Sequence, residues 1–372
     1  MKKIKIIYNN YLDIENEKNY RVGIGGLTTY ITNLVSIFNK LGFEVEIFQF
    51  AKANVVIHLE NVIVKGVYLK KNKIKALVKK ASEDSDYRND ILLFATDFMI
   101  TKNKFLNTIA IQHGVAWDIP SLRPKSYAEN IISIFKNILR VLVKNNKYRK
   151  CKHIVCVDYN FVNWYRSQIA YIDNKLYVIP NFSEIPEYRK RINKKEIKII
   201  FARRFEEYRG TRIFIKAINN LLNKYDNLKV TLAGDGSDKE WIEKNILFRE
   251  KVDFIRYEAE ESIKIHSEYD IAVVPTRGSE GTSLSLLEAM AAGCAVVSTY
   301  VGGLSNIVLD GYNGFLVEPE VEAVEKGIEK LILDKELRKK FSQKGYETVK
   351  EAFSKEKWEE KWIKVINEII NK

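Results

Sequence analysis

Residues 275–317 read PTRGSEGTSLSLLEAMAAGCAVVSTYVGGLSNIVLDGYNGFLV, and the fold class follows from how that stretch divides. Just ahead of it, Ile271-Ala272-Val273-Val274 is an apolar run that stops at Pro275 and reads as a buried strand. Leu286, Leu287 and Met290 then recur at helical spacing until Gly293, and Ala295-Val296-Val297 reads as the next strand. Strand, loop, helix and strand in that order form the unit of a parallel sheet. In an open parallel sheet, ligands sit at the carboxyl ends of the strands. Gly281, Thr282 and Ser283 fall at such an end, before a helix. Unpaired backbone N–H groups and the positive dipole end favour phosphate or sugar oxygens there. Glu280 precedes the helix and Glu288 lies about two turns in, so the helical period returns it to roughly the same face. Two acceptors so placed suit the hydroxyls of a sugar and of a ribose. They suit equally an acidic first turn that stabilises the dipole, plus one solvated Glu.

The segment resembles the glutamate-x7-glutamate signature of glycosyltransferase family 4, retaining enzymes of GT-B architecture. The family pattern is Glu-Gly-Phe-Gly-Leu, an apolar run, then Glu-Ala-Met-Ala-x-Gly. Here it reads Glu280-Gly281-Thr282-Ser283-Leu284, then Ser285-Leu286-Leu287, then Glu288-Ala289-Met290-Ala291-Ala292-Gly293. Thr282-Ser283 replaces the usual Phe-Gly, which keeps the backbone amides and leaves room for a different donor sugar. The run from Gly302 to Val308 and Gly311-Tyr312-Asn313-Gly314 are similar to the family's Gly-Gly-x-x-Glu-Ile-Val and Asp-Gly-x-x-Gly. The resemblance implies an α/β protein with two Rossmann-like domains facing a central cleft.

Length and charge constrain the rest. A chain of 372 residues with 46% apolar content favours two domains with sizeable cores. The expected division is an acceptor domain over 1–190, a nucleotide-sugar domain over 191–353, and a terminal helix over 354–372 that crosses back to the first domain or simply caps the second. Three cysteines, Cys151, Cys156 and Cys294, supply neither a disulfide framework nor a metal cluster, so a reducing, cytoplasmic compartment is expected. The apolar run near Met1 is too short for a signal peptide, and no window is apolar enough to span a bilayer. Net charge is +13. Residues 1–190 hold 30 Lys+Arg against 17 Asp+Glu, and the remainder is balanced at 31 each. An excess confined to one half points to an anionic partner: a membrane surface, lipid phosphate or nucleic acid.

Along the chain, Ile4 to Tyr8 reads as a first strand, followed by a polar, mobile stretch and Gly23-Ile24-Gly25-Gly26. Leu27 to Leu41 has helical periodicity and Glu44 to Phe50 alternates as a strand. The glycines do not follow the strand directly and lack the third spacing, which argues against a dinucleotide fingerprint. They fit a loop of positive φ. Val55 to Leu69 and Ile91 to Phe94 read as strands, with a helix at Ile74 to Ala81 between them. Asp84-Ser85-Asp86 is formally a metal-binding DxD in a charged turn. Thr108 to Gln112 reads as a strand that delivers His113 to its carboxyl end. Ala128 to Lys150 is helical, with Ile131, Ile132, Phe135, Ile138, Leu139 and Leu142 on one face and a stripe of Lys136, Arg140, Lys144 and Lys147. Such a helix lies on an anionic membrane or on a protein core. Strands at His153 to Asp158 and Leu176 to Pro180 close the first half, and Glu184 to Glu196 is the expected connection. Ile197 to Ala202 opens the second half as a strand and leads into Arg203-Arg204-Phe205-Glu206-Glu207-Tyr208-Arg209-Gly210.

The resemblance assigns roles to these positions. Arg204 and Arg209 match the family's Arg and Lys that grip the donor diphosphate. Gly25-Gly26 matches a Gly-Gly loop near the donor phosphates, and His113 a histidine near the sugar. Arg256 and Tyr257 fall where the family contacts the base. Glu280 then fixes sugar hydroxyls, Glu288 binds the ribose, and Gly281, Thr282, Ser283 and Leu284 complete the donor site. The expected catalytic set is Glu280, His113, Arg204 and Arg209, without metal or cofactor. The implied activity is retaining, metal-independent transfer of a hexose from a nucleoside diphosphate sugar, UDP first, to a glycan or lipid-linked acceptor of cell-surface polysaccharide. Contact at the inner face of the cell membrane through the basic first domain remains open, and no nucleic acid is expected. Two rivals stand beside it. A sugar-nucleotide epimerase shares the architecture but needs no acceptor. A nucleic-acid binder would explain the basic half and predicts steep salt dependence.

Overall fold

The computed structural model describes residues 2–16, 18–23, 25–69, 73–114, 126–167, 175–188, 196–278 and 280–371. Ile24 of the glycine loop and 189–195 of the expected connection lie outside them.

The first lobe contains β1 (Lys3–Ile7), β2 (Leu12–Asn16), β3 (Asn19–Val22), α1 (Gly26–Lys40), β4 (Glu44–Phe50), β5 (Val55–His58), β6 (Ile63–Val67), α2 (Ile74–Ala81), β7 (Ile91–Phe94), β8 (Asn107–Gln112), α3 (Tyr127–Tyr148), β9 (His153–Cys156), α4 (Tyr159–Arg166) and β10 (Lys175–Val178). Eight of these strands form one sheet in the order β10-β9-β8-β7-β1-β4-β6-β5. All its pairs are parallel except β5 with β6. The order reverses between β1 and β7, which opens a crevice where those two strands end.

The polar stretch after β1 is not the open loop expected. Strands β2 and β3 pair as an antiparallel ribbon. Leu12 and Ile14 are buried while Asp13 and Glu15 are exposed, the period-two alternation of a half-buried strand. The Asp84-Ser85-Asp86 turn is structural. Asp86 accepts from the backbone N–H of Arg88 at 3.0 Å and from Asn89 at 2.7 Å, and the Asp84 carbonyl accepts from Lys5 Nζ at 2.8 Å. Among the described residues no cluster of His, Cys, Asp and Glu is arranged to hold a metal.

The second lobe contains β11 (Ile197–Ala202), α5 (Thr211–Lys224), β12 (Leu228–Ala233), α6 (Lys239–Asn245), β13 (Val252–Ile255), α7 (Ser262–His266), β14 (Ile271–Val274), α8 (Leu284–Ala291), β15 (Ala295–Thr299), β16 (Phe315–Val317), α9 (Val321–Leu333) and α10 (Lys335–Ala352). Its six strands are all parallel, in the order β13-β12-β11-β14-β15-β16, with the switch point between β11 and β14. Alternation splits the strands between two cores. Ile199, Phe201, Ile271, Val273 and Val297 pack on one face. Ile200, Ala202, Ala272, Val274 and Val296 pack on the other. A sheet covered on both sides requires such near-continuous apolar runs.

The final helix, α11 (Lys355–Ile370), begins at Ser354, whose side chain accepts from the Lys357 N–H. Its Trp358, Trp362, Val365, Ile366 and Ile369 belong to the first lobe's core. Trp362 Nε1 donates to Tyr30 Oη of α1 at 2.9 Å. The chain therefore leaves the second lobe and ends packed on the first.

Candidate active site

The two sides of the second lobe's switch point supply the charged part of the site. Strand β11 ends at Ala202, and the Arg203 N–H continues the ladder to the Ala233 carbonyl at 3.0 Å. The buried Arg203 guanidinium donates to Thr276 Oγ1 and to Glu280 Oε2, both just beyond β14. Arg209 donates to the same carboxylate oxygen at 2.5 Å, and Thr276 Oγ1 donates to it at 3.0 Å. Gly210 makes this convergence possible. Its φ is 84°, and a Cβ there would stand 1.8 Å from the Pro275 carbonyl oxygen, so only glycine lets the Arg209 turn lie against the end of β14.

Glu280 is 7% exposed. Burial alone would push its carboxyl above the ordinary range, and the guanidiniums of Arg203 and Arg209 outweigh that and hold it below. All three side-chain bonds fall on Oε2, so among the described residues Oε1 is left as an acceptor for another group. Glu288 lies on α8 and accepts from Ser262 Oγ at 2.6 Å. Burial pushes its carboxyl up, against the lowering effect of that bond. Tyr257 is close enough that burial and the Glu288 charge push its phenol up to about 12.

The first lobe contributes His113, at the end of β8. Its Nε2 lies 3.0 Å from the Ala95 carbonyl oxygen, which can only accept, so Nε2 carries the proton and Nδ1 is the acceptor. Burial pushes its pKa down to about 4, against the opposing pull of the Ala95 carbonyl and Asp97, so the ring is neutral at ordinary pH. Tyr30 meets the ring edge-on, 5.2 Å between centroids.

The lobes touch at this place. A Cβ on Gly281 would lie 2.9 Å from Val157 Cγ2 and 3.0 Å from the His113 carbonyl oxygen, and one on Gly114 would lie 3.0 Å from Gly281 N. Thr282 Oγ1 donates to the Val157 carbonyl, and Asn181 Nδ2 donates to the Thr282 carbonyl at 2.7 Å. Asn160 Nδ2 donates to the Gly302 carbonyl, and the Tyr159 N–H to Asn306 Oδ1 at 3.0 Å. Gly25, with φ 140°, caps α1, and a Cβ on Gly26 would meet Leu284 Cδ1 at 2.9 Å. The glycine loop of the first lobe therefore abuts the start of α8. Ser283 is the N-cap of α8 and is buried, 3.3 Å from Ser285 Oγ.

The expected site residues do not all meet at Glu280. The guanidiniums on Glu280 are Arg203 and Arg209, not Arg204 and Arg209. Arg204 is exposed, and among the described residues its side chain makes no hydrogen bond or ion pair; only its carbonyl accepts, from the Glu206 N–H at 2.9 Å. Adjacent side chains leaving a strand point apart, and spacing to Arg209 did not identify which arginine turns inward. Arg256 forms an exposed pair with Asp235 and touches neither Glu280 nor Glu288. The Thr282 hydroxyl bridges the lobes, so only its backbone remains for a donor. Sequence reasoning missed Arg203, Thr276, Ser262 and Tyr30. Their only signal was position, at strand ends or one turn from a singled-out residue.

Residues 184–348 match the family described as Glycosyl transferases group 1. An uncharacterized glycosyltransferase of Methanocaldococcus jannaschii is 28% identical over 302 residues, covering 77% of this chain and 74% of that protein. Among solved structures, sucrose-phosphate synthase from Thermosynechococcus elongatus superposes with a TM-score of 0.77 at 16% identity, covering 100% of both chains. Anabaena HepE, solved in complex with UDP-glucose, superposes with a TM-score of 0.69 at 16% identity, covering 98% of this chain and 99% of that one.

Proposed function

We propose that the chain is a glycosyltransferase, a reading supported by the group 1 glycosyl transferase match over residues 184–348 and the GT-B fold around it, and that it moves a hexose from a UDP-sugar to a glycan or lipid-linked acceptor with retention at the anomeric carbon. The observation that carries the reading is the convergence of Arg203, Arg209 and Thr276 on Glu280, against His113 and Gly114 of the other lobe. The UDP preference is supported by the UDP-glucose bound to the similarly folded HepE.

In this mechanism the bond from the anomeric carbon to the β-phosphate oxygen breaks, leaving both electrons on the diphosphate. Arg203, Arg209 and the unpaired N–H groups at the start of α8 stabilise that charge. Arg fits because its planar fork grips phosphate by two bonds. The acceptor hydroxyl attacks from the face the diphosphate leaves, and its proton passes to a phosphate oxygen. Glu280 Oε1 accepts from a donor-sugar hydroxyl, and Glu288 accepts from the ribose. Neutral His113 orients the sugar through Nδ1. A cationic set of this kind can replace a metal, so turnover is expected to survive chelation.

The test is a donor panel of UDP-, GDP- and ADP-hexoses with glycan and lipid-linked acceptors, followed by nucleotide release and by NMR of the product's anomeric proton. Acceptor-dependent UDP release with retained configuration supports the reading. Equal release without acceptor, or an inverted product, overturns it.

A further inference from the structure

The two carboxylates of the site are held in unlike ways. Glu280 is fixed by three bonds to Oε2, two of them from guanidiniums. Glu288 is half-buried on α8, and among the described residues no cation pairs with it. Its side-chain bond comes from Ser262 Oγ and falls on Oε2, so among the described residues Oε1 is left for a further donor. Burial works against the charge on Glu288, and the Ser262 hydroxyl is what opposes it. The aim of this carboxylate, and its capacity to accept from a ligand, therefore depend on one serine.

The packing around Ser262 commits its proton. Ser262 opens α7 and is buried, as is His266 one turn on. His266 Nδ1 lies 2.8 Å from the Ser262 carbonyl oxygen and 3.3 Å from its Oγ. A carbonyl can only accept, so Nδ1 carries a proton, and the Ser262 hydroxyl meets that N–H through a lone pair. Its own proton goes to Glu288, and the 2.6 Å separation is that of a charge-assisted O–H···O bond. The Cys294 thiol donates to the His266 carbonyl at 3.2 Å, which ties the end of α7 to the turn after α8. The charges of Glu288 and Arg203 both act on Tyr257, so Glu288 lies on the same side of the lobe as the Arg203–Glu280 cluster. We propose that Ser262, held by His266, is the positioning residue that lets Glu288 select a ribonucleotide over its deoxy counterpart. This selection rests on the reading that Glu288 accepts from the donor's ribose. A carboxylate oxygen aimed at a fixed point stabilises a hydroxyl there and is left unpaired by a ligand that lacks one. A carboxyl free to turn, or protonated by its own burial, makes no such distinction. Ser262 acts through Glu288.

The experiment is calorimetric titration of UDP and of 2′,3′-dideoxy-UDP into the full wild-type chain, Ser262→Ala and Ser267→Ala. Ser267 is exposed at the other end of α7 and serves as the control. The wild type is expected to bind UDP at least about tenfold tighter than the dideoxy analogue, the worth of one bond to a charged acceptor. In Ser262→Ala the two affinities should come within about threefold of each other, because UDP weakens while the analogue binds as it does to the wild type. Ser267→Ala should keep the wild-type ratio. A substitution that merely loosened the lobe would weaken both nucleotides and leave the ratio unchanged. The assignment fails if Ser262→Ala keeps the wild-type ratio, whether it binds both ligands as before or loses both equally, or if the wild type binds the two alike. Acceptor-dependent UDP release by the wild type alongside any of these results leaves the transferase reading standing. A wild type that takes up no UDP removes the donor-site reading as well.

Discussion

Replacing Arg203 by alanine removes one of two guanidiniums from a carboxylate that is 7% exposed. Breaking a buried ion pair from one side costs about 3–5 kcal/mol. Here Arg209 and Thr276 keep their bonds to Glu280, so the cost falls at or just below the bottom of that range, about 2–3 kcal/mol. For a lobe of this size that is a drop in Tm of roughly 5–10 °C. The loss carries a pH signature. In the wild type burial raises the Glu280 carboxyl, the two guanidiniums outweigh it, and the net shift is downward. A depressed carboxylate contributes stability that is present above its unfolded pKa of about 4.3 and lost as pH falls through the folded value. In the variant burial gains ground and the carboxyl titrates higher. The variant should then keep less of the stability that the wild type gains as pH rises through the folded value. The gap between wild type and variant widens from about pH 4 to about pH 7. Activity should fall too, with kcat/KM down by about a hundredfold or more, as when one oriented donor is lost from a developing anion. Arg204→Ala, one residue away and exposed, should change stability by no more than about 0.5 kcal/mol and leave turnover near normal. Thermal melts at both pH values, paired with nucleotide release, measure all of this. Equal damage from the two substitutions, or a silent Arg203→Ala, would refute the reasoning.

His113 should show no protonation in the neutral range: its imidazole proton shift, followed by NMR, should titrate near pH 4. Because that value lies below the unfolded one of about 6.5, its contribution to stability is full above about pH 6.5 and is lost as pH falls toward 4. Gly281→Ala would place a Cβ 2.9 Å from Val157 Cγ2 and 3.0 Å from the His113 carbonyl oxygen, forcing the lobes apart. We expect a larger radius of gyration by small-angle scattering and at least a tenfold loss of kcat/KM, about 1.4 kcal/mol. Trp362→Ala removes a fully buried ring and its bond to Tyr30, and should cost about 3–5 kcal/mol in a urea unfolding curve of the first lobe.

The fold was legible because parallel strands covered on both faces leave long apolar runs. Ile197 to Ala202 and Ile271 to Val274 could be read straight from the chain, as could the helix ending at Gly293. The ribbon at Leu12–Asn16 was not, because two buried side chains among polar neighbours look like loop until alternation is tested. Glu280 and Arg209 could be found because each sits in a dense local pattern. Arg203 could not be told from Arg204, since which of two neighbouring side chains turns inward depends on Thr276 and Glu280, more than seventy residues away. The Thr282 hydroxyl was hidden for the same reason, its partner being the Val157 carbonyl of the other lobe. The exposed apolar face of α3 shows the converse. Its apolar pattern was plain, but only three-dimensional structure tells whether a core covers it.

Calorimetric titration of UDP into the wild-type chain and into Arg209→Ala tests the central claim most directly. Saturable binding by the wild type, weakened at least about tenfold by loss of the phosphate-gripping guanidinium, is the predicted result. Equal affinity in the two proteins, or no uptake of UDP, GDP or ADP by the wild type, would contradict it.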